Sequence, residues 1–77
     1  MKDIKVLGSG CANCKTTTAL IEQVARDKGV AVNIDKVQDM QAIIAYGVLA
    51  TPGVVVDGKV VHAGGVPQRD RIEAWLA

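Results

Sequence analysis

Apolar and polar positions repeat with one period in some stretches and with another elsewhere, and the points of change mark the elements. Ile4 to Leu7 is a short aliphatic run ended by Gly8-Ser9-Gly10, which predicts a first strand and a turn. From Ala12 to Lys28, Thr17, Leu20, Ile21 and Val24 recur at i, i+3, i+4, i+7 spacing while Glu22, Gln23, Arg26 and Asp27 take the other side. That spacing predicts a helix, closed by Gly29 as a C-terminal cap. The run Thr16-Thr17-Thr18 works against its first turn, because β-branched side chains lose rotamer freedom in a helix. Val30 to Asp35 alternates with period two, Val30, Val32 and Ile34 against Ala31, Asn33 and Asp35, and predicts a second strand. Asp39 can cap a short helix running through Tyr46, with Met40, Ile43 and Ile44 on one face and Gly47 at its end.

After Thr51-Pro52-Gly53 comes VVVDGKVV, in which Asp57-Gly58 separates two valine-rich runs. A two-residue Asp-Gly loop suits a type I′ turn, so this segment predicts an antiparallel hairpin. Gly64-Gly65 breaks the pattern, and a last helix is expected from Pro67, suited to a first helical turn, to Leu76, with Ile72, Trp75 and Leu76 on one side. The order is β-α-β-α-β-β-α. Parallel neighbours need a crossover and the hairpin is antiparallel, so the expected α/β architecture is a mixed four-stranded sheet flanked by helices.

Length and composition narrow this picture. A chain of 77 residues is a single domain, residues 1–77, near the lower limit for a self-sufficient core. With 49% apolar residues and no Phe, that core is aliphatic. The net charge of +1 is spread along the chain without a basic block, which argues against a nucleic-acid or anionic-membrane surface. The segment MKDIKVLGSG has no uninterrupted apolar stretch, and no run approaches the roughly 18 apolar residues of a spanning helix. A cytoplasmic protein is expected, with monomer as the default.

The chemistry concentrates in GSGCANCKT, which holds the only two cysteines of the chain, Cys11 and Cys14. With the turn ending at Gly10, Cys11 falls at the mouth of the first helix and Cys14 one turn inside. Residues three apart on a helix face the same way, so the two sulfurs can come within bonding distance. The unpaired amides and positive dipole end of the helix favour an anion at Cys11, which makes it the expected nucleophile, with Cys14 as the resolving thiol. For a thiol brought from about 8.5 to about 7, gain in thiolate and loss of nucleophilicity nearly offset, leaving attack about 3-fold faster. Holding the second thiol beside a mixed disulfide matters far more, since oriented intramolecular reactions reach effective molarities of about 10⁵ M.

Other readings of the pair remain open. Zinc normally wants four ligands, and beyond the cysteines there is only His62, distant in the hairpin. A soft ion such as Cu(I) or As(III) needs no more than two thiolates. A structural staple closing so short a loop would remove little chain entropy, and a reducing cytosol disfavours it. His62 as general base is weighed against a half-exposed strand residue, and Lys15 as an electrostatic aid to Cys11 against a solvated helix lysine; in both cases the plainer reading is the commoner. Met40 and Trp75 read as core or core-edge packing.

The CxxC at the start of the first helix is followed by Tyr46-Gly47-Val48, then Thr51-Pro52, then a hairpin and a closing helix. That combination resembles the thioredoxin-like superfamily, in particular its small glutaredoxin-sized members from bacteria and archaea, some of them associated with arsenic resistance. The resemblance covers essentially the whole chain. It implies a thioredoxin-like fold and a thiol–disulfide oxidoreductase needing no cofactor beyond a redox-active Cys11–Cys14 disulfide. The implied partners are a disulfide-containing protein or small molecule as substrate, and a thiol reductase or glutathione as electron donor. It further implies that Pro52 is cis and lies beside the cysteines, with the Thr51 backbone binding an extended substrate by strand addition. Gly10 and Lys15 are supporting candidates. This chain departs from thioredoxins in carrying Ala12-Asn13 between its cysteines, in having Gly10 where a Trp precedes the motif, and in offering only Asp3 on the first strand as a carboxylate.

Overall fold

A computed structural model describes residues 2–8 and 11–77. The elements are β1 (Lys2–Leu7), α1 (Ala12–Lys28), β2 (Val32–Val37), α2 (Met40–Ala45), β3 (Gly53–Val56), β4 (Lys59–Ala63) and α3 (Arg69–Trp75). The four strands form one mixed sheet in the order β2-β1-β3-β4. β1 pairs in parallel with β2 (Ile4 opposite Ile34, Val6 opposite Lys36, Leu7 opposite Val37) and antiparallel with β3 (Val6 opposite Val54, Leu7 opposite Gly53).

Alternation along β1 divides the core in two. Ile4 and Val6 point to the face covered by α1 and α3, where they pack with Ile21, Val24, Ala25, Val54, Ile72 and Leu76. Leu7 points to the opposite face and packs with Val55, Val48 and Ile43 of α2. Because the side-chain period of a strand is two, these two sets cannot exchange without a register slip. The architecture is the expected mixed four-stranded sheet with helices on it, in the expected order.

The helix ends follow from local chemistry. α1 closes on Gly29 at φ 65° and ψ 31°, with the Gly29 N–H donating to the Arg26 carbonyl (3.2 Å) and the Val30 N–H to that of Ala25 (2.9 Å). This pair of bonds is a Schellman motif, which needs a left-handed residue and so favours glycine. It also draws Val30 into the turn, so β2 begins at Val32 rather than Val30 and runs on to Val37. The Thr16-Thr17-Thr18 run does not delay α1. Each hydroxyl donates to the carbonyl four residues earlier, on Ala12 (3.0 Å), Asn13 (2.7 Å) and Cys14 (3.1 Å), the arrangement that gives threonine a second acceptable rotamer in a helix.

The β3–β4 turn has positive φ at both Asp57 (50°) and Gly58 (84°), as a type I′ turn requires, and the Asp57 carboxylate accepts from the Asp3 N–H at 3.0 Å. Farther along, Val55 pairs with Val60 but Val54 with His62, so Val61 is the extra residue of a bulge. Two expectations are corrected. Met40 is not core packing: it is 60% exposed and Ile44 58%, because six-residue α2 reaches the sheet through Ile43 alone. Pro67 does not open the last helix; it is buried just before the Gln68 cap, and α3 starts at Arg69. An exposed ion pair ties α3 back to α1, the Arg69 guanidinium meeting Asp27 at 2.7 Å and Glu73 at 3.2 Å.

Candidate active site

The C-terminal ends of the parallel strands β1 and β2, the start of α1 and the segment before β3 meet at one end of the strands. Cys11 is the N-cap of α1, with extended backbone (φ −69°, ψ 163°), and its Sγ accepts the Cys14 N–H at 3.1 Å. One of the amides that helix geometry leaves unpaired is thus aimed at the Cys11 sulfur. Cys11 and Cys14 form a disulfide, with Cα atoms 5.1 Å apart. The two sulfurs are not equivalent: Cys11 is partly exposed, whereas Cys14 is 6% exposed and faces the end of β1.

Gly8 makes room for this arrangement. Its N–H donates to the Val37 carbonyl at 2.9 Å, fixing the chain just past β1. A Cβ at this position would overlap Cys14 Sγ, stand 3.3 Å from Cys14 Cβ and lie 3.7 Å from Thr51 Cβ. Gly8 therefore marks the junction where the disulfide and the Thr51 loop approach each other. Thr51 is exposed, Pro52 is buried, and the peptide between them is cis. The Pro52 carbonyl accepts from the Gly64 N–H at 2.9 Å, which ties the loop to the end of β4.

Beside Cys14 lies a cavity of about 80 Å³ lined by Gly8, Cys14, Lys15, Thr18, Lys36 and Gln38, with Val6 at its base. Lys36 arrives there by strand parity: it pairs with Val6 and so shares the face that α1 covers, whereas Lys5 and Asp35 meet at 3.4 Å on the other side of the sheet. Lys15 follows Cys14 on α1 and is exposed. Asp3 sits at the far end of β1, where its carboxylate accepts from the Asn33 amide at 3.2 Å. His62 does not join the cysteines; its Nε2 lies 2.9 Å from the Gly65 carbonyl and its ring packs at a tilt on Trp75, centroids 6.1 Å apart. Gly10 lies outside the described residues. Among those that are described, no group of three or more His, Cys, Asp or Glu is placed to hold a metal ion.

Lys36, Thr18 and Gly8 are site residues that reading the sequence missed. Parity could have supplied Lys36 had the second strand been extended past Asp35. Gly8 was visible only as part of a turn.

Residues 2–77 match the family model described as a thioredoxin domain. The chain belongs to the thioredoxin family. It is 30% identical over 77 residues to a thioredoxin of Methanothermobacter thermautotrophicus, covering 100% of both chains. It is 32% identical over 73 residues to a thioredoxin of Methanocaldococcus jannaschii, covering 95% of this chain and 84% of that one. The fold is similar to that of oxidised mitochondrial thioredoxin 3 from Saccharomyces cerevisiae, with a TM-score of 0.67 and 17% identity over 97% of this chain and 76% of the other. Family membership and the Cys11–Cys14 disulfide together make this thioredoxin-family chain a thiol–disulfide oxidoreductase. No helix of the described residues is long and apolar enough to cross a membrane.

Proposed function

We propose that the chain reduces disulfides by two-step exchange, with Cys11 attacking and Cys14 resolving. The observation that carries this assignment is the difference between the two sulfurs. Cys11 is partly exposed and its Sγ receives a backbone N–H at the helix start, while Cys14 is almost completely covered. A thiolate gains from a charge-assisted bond at that position, and only the accessible sulfur can meet a substrate disulfide.

In the first step the Cys11 thiolate forms a bond to one substrate sulfur, and the substrate S–S bond breaks with its electron pair leaving on the other sulfur, which takes up a proton. In the second, the Cys14 thiolate bonds to Cys11 Sγ and the remaining substrate sulfur departs. The substrate gains two electrons and the protein dithiol becomes the disulfide. Thr51, exposed and beside Gly8, offers backbone to an extended substrate segment, with buried Pro52 next to it in the same loop. The substrate class is a disulfide-bonded protein or small molecule. The oxidised form is returned to the dithiol by a thiol reductase or glutathione, in a cytoplasmic setting that favours the dithiol.

The experiment is a trapping assay with a disulfide-bonded protein substrate, read by mass spectrometry. Cys14→Ser is expected to accumulate a covalent mixed disulfide through Cys11, and Cys11→Ser to form none. Trapping through Cys14, or equal trapping by both variants, would overturn the assignment.

A further inference from the structure

We infer that Lys36 is a positioning residue for the resolving step, its ammonium stabilising the Cys14 thiolate across the cavity they share. The inference rests on the resolving role given to Cys14 above and adds how that buried sulfur loses its proton.

A resolving thiol 6% exposed needs something to offset the desolvation of its anion. The groups that face Cys14 can be taken element by element. β1 contributes Val6 and Gly8, neither of which titrates. α1 contributes Lys15 and Thr18, and the Thr18 hydroxyl is already donating to the Cys14 carbonyl at 3.1 Å. β2 and the residue after it contribute Lys36 and Gln38. Among the described residues that line the cavity, both ionisable side chains other than Cys14 itself are cationic. Asp35, the carboxylate nearest in sequence, is turned to the opposite face and paired with Lys5. The chemistry at this position therefore favours an anion on Cys14 and supplies no carboxylate to take its proton.

Lys36 is better placed than Lys15 to act on it. It rises from the sheet on the face that α1 covers, in register with Val6, and Cys14 projects from α1 toward that same strand end. The cavity of about 80 Å³ exceeds the few tens of Å³ that a water molecule occupies and carries polar groups on its wall, so solvent can enter and carry the proton away. In the balanced step, Cys14 releases its proton to that solvent. The thiolate held by the Lys36 charge then forms the bond to Cys11 Sγ, and the substrate sulfur leaves with the electron pair of the broken bond.

The two steps separate kinetically with an uncharged aromatic disulfide such as dithiodipyridine, each step releasing one equivalent of the coloured thiopyridone. The first phase reports attack by Cys11 and the second resolution by Cys14. Lys36→Met is expected to move the midpoint of the second phase's pH profile up by about one unit, the low end of what a neighbouring charge does, since Lys36 is exposed, and to slow that phase about 3-fold at neutral pH, the roughly tenfold loss of thiolate being partly offset by the greater nucleophilicity of a more basic sulfur. The first phase should keep its rate, and Lys36→Arg should restore the second. A second phase with unchanged rate and midpoint, or equal slowing of both phases without a midpoint shift, overturns the inference while leaving the exchange mechanism intact. Absence of the first phase in the unsubstituted protein overturns the exchange mechanism itself.

Discussion

Replacing Gly8 with alanine tests the geometry of the site with a single methyl group. Gly8 is not among the residues at positive φ, so alanine can adopt its backbone, and on that ground alone the change would stabilise by about 0.4–1 kcal/mol through the unfolded chain. The folded state opposes it. The methyl would overlap Cys14 Sγ and stand 3.3 Å from Cys14 Cβ, and Cys14 has little room to retreat, being buried and bonded to Cys11. Because the methyl meets a buried, bonded sulfur, the cost falls toward the upper end of the usual range of about 1–3 kcal/mol, at about 2–3 kcal/mol, so the net loss is about 1–2 kcal/mol. For a domain of this size each kcal/mol moves the thermal midpoint by about 4–8 °C. Thermal unfolding of the oxidised protein, followed by circular dichroism, should therefore show Gly8→Ala melting roughly 4–16 °C lower. The reduced protein should lose less, because an unbonded Cys14 sulfur can turn away. Adding Cys14→Ala removes the sulfur, and in that background the Gly8→Ala penalty should fall to near zero, since contacting residues couple in a double-mutant cycle. An unchanged or raised midpoint for the oxidised Gly8→Ala protein would refute the close approach of Gly8 and Cys14.

Other expectations follow from single contacts. Leu76 is 2% exposed in the cluster beneath α1 and α3, so Leu76→Ala should cost about 2–5 kcal/mol in urea unfolding and release α3 to rapid hydrogen exchange. Asp57 holds φ 50° in the hairpin turn and accepts the Asp3 N–H, so Asp57→Ala should lose about 1–2 kcal/mol, while Asp57→Gly should lose less because glycine tolerates the backbone. The hydrogen bond from Arg69 holds the Asp27 carboxyl below the ordinary value of 3.8, against a smaller opposing effect of burial. A depressed carboxyl stabilises the fold above its unfolded pKa and loses that contribution as pH falls through its folded pKa. The difference in urea midpoint between the natural chain and Arg69→Gln should therefore be present at neutral pH, shrink below pH 3.8 and be reduced by salt, and it should be small because both side chains are exposed.

What the sequence disclosed most reliably was chemistry that a single backbone requirement enforces. Asp57-Gly58 predicted the type I′ turn because few other dipeptides accept positive φ twice, and Gly29 predicted the end of α1 for the same reason. Periodicity did less well where an element is too short for its face to be defined. Met40, Ile43 and Ile44 share a helical stripe, yet only Ile43 meets the core, because one and a half turns cannot present three side chains to a curved sheet. The threonine run misled in the opposite direction: propensity counted its β-branching as a cost, while the structure uses all three hydroxyls on preceding carbonyls. Lys36 was hidden by a two-residue error in β2. The alternation from Val30 is real, but the helix-closing turn takes Val30, and the strand gains its last two residues at the other end, beside the disulfide.

The roles proposed for the two cysteines rest on their positions on one helix. Three residues along α1 carry a side chain about 4.5 Å deeper along the axis and leave it about 60° short of a full turn. Cys11, the cap itself, stands where the helix has no preceding turn to cover it, and its sulfur accepts the Cys14 N–H. Cys14, one turn in, is rotated toward the sheet and meets Gly8 at the end of β1. Exchanging the proposed roles would require the covered residue, 6% exposed, to be the one that meets a substrate. The proposed division of labour between the two cysteines thus has its structural counterpart in where the helix begins relative to the strand end, and the residues between them, Ala12 and Asn13, are both exposed.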